Sequence, residues 1–126
     1  MRLSSPRSQP AHVAAEVPPD APRVIIGFAE KSFTIEADEA QSVTKFIDDS
    51  KAVTSMQTIV VNAYAYTGGG AVSEARRLAY YRAMMARKQL IDAKLKPETI
   101  RISVNDTADM ARGLTVELIA AGGGAH

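Results

Sequence analysis

Three consecutive glycines, Gly68 to Gly70, stand between an apolar alternating run and a long basic segment, in "YAYTGGGAVSEARRLAYYRAMMARKQL". A glycine-rich turn that opens a helix presents backbone N–H groups to an anion, so phosphate binding is the first chemistry to weigh. The residues after the turn do not supply it. A P-loop continues as Gly-Lys-Ser/Thr, whereas Ala71, Val72 and Ser73 follow here. A dinucleotide fingerprint begun at Gly68 would put Ser73 where its third glycine belongs.

Covalent and acid–base chemistry fare no better. Ser73 has no histidine placed to activate it, because the only two, His12 and His126, lie near opposite ends of the chain; a helix cap is its simpler role. Asp48 and Asp49 are adjacent acids at a helix end, where solvation is the ordinary state. With no cysteine and two distant histidines, no metal site of thiolates or imidazoles is expected. The residues therefore describe a chain that is not an enzyme and needs no metal or other cofactor.

Charge is unevenly spread. From Ser73 to Lys96 seven basic residues face only Glu74 and Asp92, while from Ala29 to Asp49 six acids face only Lys31 and Lys45. A basic helix carrying Tyr80 and Tyr81 could hold a nucleic-acid backbone and stack on bases, which makes nucleic-acid binding a rival reading. A net charge of +1 over 126 residues argues against it. Met84 and Met85 read as packing residues.

The elements that must position these residues follow from periodicity. Five of the six prolines fall before Arg23, which predicts an extended arm over 1–22. "RVIIGF" is suited to a buried strand. Ala40, Val43, Phe46 and Ile47 recur at helical spacing, with Glu36, Asp38 and Glu39 at the positive end of that helix's dipole. "TIVVNAYAY" alternates, with Ile59, Val61, Ala63 and Ala65 on one face and Val60, Asn62, Tyr64 and Tyr66 on the other. Ser73 is the expected N-cap of a helix over 74–93, whose stripe of Ala75, Ala79, Ala83, Ala86 and Leu90 can lie close on a sheet. Pro97 ends it. "TIRISVN" and "GLTVELIA" are further strands, with one helical turn expected in "DTADMAR" between them, and 121–126 reads as a flexible tail. The predicted fold is α+β: a two-layer sandwich in the order β-α-β-α-β-β, both helices on one face of a mixed sheet. Asn62, Tyr64, Arg101, Ser103 and Glu117 would partly solvate its other face.

Over residues 23–120 this pattern resembles the OmpA-like C-terminal domain, the peptidoglycan-binding module of Gram-negative envelope proteins. In that family a strand leads into "G-[HY]-T-D", and a variable loop precedes a helix carrying "L-S-x-x-R-A". Leu78, Ala79, Arg82 and Ala83 occupy the helix frame, with Ala79 in place of the serine. Tyr66 and Thr67 fit the middle of the strand motif, but Ala65 and Gly68 replace its outer residues. The resemblance implies that Arg82 grips a stem-peptide carboxylate, aided by Thr67, the loop amides around Gly68, and Asn62. A guanidinium suits that task because its fork donates two parallel hydrogen bonds. Gly68 stands where the family's aspartate would meet the ligand's ammonium, and losing one partner of a desolvated pair costs about 2–5 kcal/mol.

The expectation is thus a noncatalytic module of the cell envelope, periplasmic and outer-membrane associated, that binds peptidoglycan. The alternative is a protein–protein scaffold in an envelope-spanning secretion or motor complex. No run of apolar residues is long enough to span a bilayer and no secretory leader is visible. The chain is therefore expected either to be cytoplasmic or, as favoured here, to be a fragment whose export signal or anchor lies outside it. For Arg82 the plain alternative is a surface ion pair with Glu74 or another acid.

Overall fold

A computed structural model describes residues 21–123. The strands are β1 (Arg23–Gly27), β2 (Gln57–Tyr66), β3 (Ile100–Thr107) and β4 (Thr115–Gly123), and the helices are α1 (Ala37–Ser50) and α2 (Val72–Asp92). They form one mixed sheet in the order β1-β4-β2-β3, in which β2 and β3 are parallel and β4 runs antiparallel to both of its neighbours. A parallel neighbour requires a crossover, and α2 supplies it. The α+β architecture is the one expected. Of the arm expected over 1–22, residues 1–20 lie outside the described residues, as do 124–126 of the tail expected over 121–126; β4 continues to Gly123, so the first residues of that tail belong to the sheet.

Register explains the core. Val24, Leu118, Val61 and Ile102 form one row across four strands, and Ile26, Val116, Ala63 and Val104 form the next. All of these point toward the helices, because side chains alternate in direction along each strand. Against them α1 buries Val43, Phe46 and Ile47, and α2 buries Ala79, Ala83, Ala86 and Leu90. The alanines of α2 lie over a strand that carries Ala63 and Ala65, so small residues on both sides let helix and sheet approach closely. Truncating a fully buried member of these rows, such as Leu118, would cost about 2–5 kcal/mol.

Both helices end on a lysine in the left-handed conformation, Lys51 (φ 56°) and Lys94 (φ 85°). After α1, Ala52 N–H donates to the Ile47 carbonyl, and after α2, Leu95 N–H donates to the Leu90 carbonyl, both at 3.1 Å. These six-to-one bonds satisfy orphan carbonyls and bring Ala52 and Leu95 into the core.

The structure corrects three local expectations. The N-cap of α2 is Ala71, with no side-chain cap bond, and Ser73 lies inside the first turn. The helical turn anticipated in 106–112 starts later, at Asp109, where Gly113 N–H donates to the Asp109 carbonyl at 3.0 Å. β3 extends through Thr107, and a 3-10 turn follows at Arg112–Leu114, steadied by Asp109 Oδ1, which accepts from the N–H groups of Ala111 and Arg112. The sheet face away from the helices is also more closed than alternation suggests, with Asn62 and Glu117 buried. Long neighbours cover it. Arg23 Nη1 and Tyr64 Oη each reach Glu117 at 3.3 Å, and the Arg112 guanidinium lies 4.8 Å from the centre of the Tyr64 ring.

Candidate functional site

Arg82 faces inward from α2, among the alanines that meet the sheet, and only 2% of it is exposed. Its guanidinium is not in a surface ion pair. Nε donates to the Ser32 carbonyl at 2.7 Å, Nη2 to the Ala29 carbonyl at 3.1 Å and Nη1 to the Gly113 carbonyl at 3.0 Å. The first two acceptors belong to the loop after β1 and the third to the turn before β4. The Phe28 ring lies 5.2 Å away, a cation–π distance. One side chain therefore fastens two loops to the middle of a helix.

Charge makes this arrangement unusual. Among the described residues no carboxylate lies within ion-pair distance of Arg82. Burial pushes its pKa below the ordinary value, yet a guanidinium remains protonated at any physiological pH. A buried cation held by neutral carbonyls and a ring face, with no anion, is incompletely compensated. Three of its five N–H groups are used, and one on each Nη is left.

Arg82 borders a hollow of about 260 Å³ at the end of β2. Arg82 contributes to its lining with Tyr66, Gly69, Leu78, Met110 and Leu114, and Glu30, Lys31 and Glu74 contribute charge. Two larger hollows run beside α1, and neither is lined by a buried polar side chain. The glycine loop is part of the site through Gly69, while Gly70 takes a positive φ of 88° that favours glycine.

The structure distributes the expected ligand residues unevenly. Arg82 lines the hollow. Thr67 and Gly68 lie in the loop between two lining residues, Tyr66 and Gly69, and Thr67 N–H donates to the Thr107 carbonyl at 3.2 Å. The Tyr66 ring lies across Gly68, where an added Cβ would come within 2.8 Å of Tyr66 Cε1. An aspartate there would have to displace that ring. Asn62 is not brought to Arg82; it sits further back on β2, in register with Ser103 and Glu117.

Sequence reasoning missed Gly113. An added Cβ there would stand 2.5 Å from Tyr66 Cβ and 3.0 Å from Tyr66 N, so β2 and this turn touch through a glycine whose carbonyl also serves Arg82. The available signal was a single glycine just before a strand, which marks close backbone approach. Also missed was a bidentate pair from α2 to the edge strand, with Arg76 Nε to Asp106 Oδ1 at 3.0 Å and Arg76 Nη2 to Asp106 Oδ2 at 2.6 Å. The hydrogen bond from Arg76 holds the Asp106 carboxyl below its ordinary pKa. Arg76 is thus paired, Lys88 is paired with Asp92, and Arg82 is buried, so the basic residues of α2 do not form one continuous cationic surface.

This architecture is that of OmpA-like domains. The chain superposes on the OmpA-like domain of FopA1 from Francisella tularensis subsp. tularensis SCHU S4 with a TM-score of 0.63 at 19% identity, covering 77% of this chain and 70% of that one. It matches an outer membrane protein from Borrelia burgdorferi B31 with a TM-score of 0.60 at 20% identity, over 79% and 87% of the two chains. It matches the periplasmic domain of Helicobacter pylori MotB with a TM-score of 0.52 at 16% identity, over 75% and 68%. No protein-family model and no curated protein matches the sequence. Identities this low carry the fold and nothing finer.

Proposed function

We propose that this chain is a noncatalytic, peptidoglycan-associated module of the cell envelope, and that Arg82 receives a carboxylate of the peptidoglycan stem peptide. The observation that carries this reading is the buried guanidinium with no acidic partner, bordering an open hollow. An anion entering there meets a charge the protein leaves uncompensated. Such a hydrogen bond gains strength from both ionised partners and from partial desolvation. The fold shared with an OmpA-like domain, an outer membrane protein and a periplasmic domain supports the envelope setting. Thr67 and Gly68 contribute by holding Tyr66 and Gly69 along the wall. Asn62 has no direct part. Among the described residues no helix is long and apolar enough to cross a membrane.

The scaffold reading, in which the fold serves as a building block of an envelope-spanning secretion or motor complex, is favoured by one surface feature. Phe33, Tyr80 and Tyr81 are all at least 45% exposed, with Phe33 and Tyr81 in edge contact at 5.7 Å. Exposed aromatic clusters of this kind are common at protein interfaces.

Retention by purified sacculi separates the two, provided the variant folds. Leu78→Glu is the informative substitution, because it places a carboxylate one turn before Arg82 on the wall of the hollow, where an i, i+4 pair forms readily. The expected result is that wild type is retained and Leu78→Glu, folded by circular dichroism, is released. Failure of wild type to be retained, or equal retention of both, overturns the carboxylate reading.

A further inference from the structure

Glu74, Leu78 and Arg82 are spaced at four-residue intervals on α2, and all three line the hollow. Positions i, i+4 and i+8 share one helix face, so the wall reads acid, apolar, cation along its length. At 1.5 Å per residue the two charged positions are about 12 Å apart along the helix axis. Glu74 is exposed and, among the described residues, makes no ion pair. At the other end Arg82 is buried without an acid. The two charges do not neutralise each other, because they are separated by the side chain of Leu78 and two helical turns.

From this stripe we infer that the hollow recognises a ligand whose carboxylate and ammonium groups are separated by an aliphatic spacer, rather than a compact zwitterion with both charges on one carbon. The carboxylate takes the free N–H groups of Arg82, the methylenes lie over Leu78, and the ammonium meets Glu74 at the mouth. A lysine-type side chain on a carboxyl-terminal residue has this chemistry. The inference rests on Arg82 being the carboxylate receptor, and it adds that Glu74 is the specificity-determining partner at the far end.

The test is a titration of the full chain, followed by amide and arginine Nε–H NMR shifts, with three probes: glycine, a series of linear ω-amino carboxylates of increasing length, and the unsubstituted carboxylates of matching length. Long ω-amino carboxylates are expected to shift the Arg82 signal, with affinity rising along the series, and glycine is expected to be inert. Glu74→Gln, at an exposed first-turn position that leaves the core intact, should weaken the ω-amino series about two- to fivefold and leave the plain carboxylates unchanged. Plain carboxylates that bind with no gain from the amino group, or a ligand series indifferent to Glu74→Gln, overturn the spacer model while leaving Arg82 as a carboxylate receptor. If no carboxylate perturbs Arg82, both readings fall together.

Discussion

Arg82 and Gly113 are 31 residues apart in the chain, yet Nη1 of the first donates to the carbonyl of the second at 3.0 Å. With the bonds to Ser32 and Ala29, this makes a single guanidinium the junction of α2, the loop after β1 and the turn before β4. Removing it by Arg82→Ala would leave three carbonyls without their charged donor. The expected loss is about 1–3 kcal/mol of unfolding free energy, read from the shift of a urea midpoint at constant m-value. A loss below about 1 kcal/mol would mean that water replaces the guanidinium at little cost, and the buried-cation argument would not stand.

Gly113 is under a different constraint. A methyl group there meets Tyr66 backbone and Cβ atoms, which cannot swing aside as a side-chain terminus can. Gly113→Ala should therefore destabilise the chain by about 1–3 kcal/mol, the usual range for overpacking, and displace the Arg82 Nε–H resonance. At Gly68 the obstruction is only the end of the Tyr66 ring. Gly68→Ala is accordingly the milder change, and thermal melts of the two variants should rank them in that order.

On the opposite face of the sheet, burial first and the Glu117 carboxylate next push the Tyr64 phenol above its ordinary pKa of 10.0. A phenol with a raised folded-state value stabilises the fold fully below its unfolded value. That contribution disappears as pH climbs through the folded value. Stability should therefore decline above about pH 10 more steeply in wild type than in Tyr64→Phe. The difference between their ultraviolet titrations should show a phenol ionising late. Identical alkaline melting curves for the two proteins would refute the assignment.

Much of this structure was legible in the sequence, and the rest was hidden for a physical reason. Alternation in "TIVVNAYAY" assigned Ile59, Val61, Ala63 and Ala65 to the helix side, and all four are buried there. The alanine stripe and Pro97 located α2 and its end. Periodicity reports which face a residue occupies, however, and not what it meets. Arg82 has the type of a ligand-binding residue, but its acceptors are main-chain carbonyls of Ala29, Ser32 and Gly113, and every residue carries a carbonyl. Asn62 lies on the strand that leads to the site, yet register sets it beside Ser103 and Glu117. Ser73 has a capping side chain but sits inside the helix, where capping preference yielded to the geometry of the loop before it.

The position of β4 has a consequence for how the chain reaches this state. β1 pairs with β4 alone, and β4 lies between β1 and β2, although it comes after every other strand described. As the chain emerges, the earlier segments can form helices and the β2–β3 pair, but β1 has no partner in the sheet until β4 is available. The long loop closed by that final pairing makes the last step entropically slow. An unfinished chain would display the apolar strands β1 and β2 with the edges meant for β4 still open, a surface on which holding chaperones act.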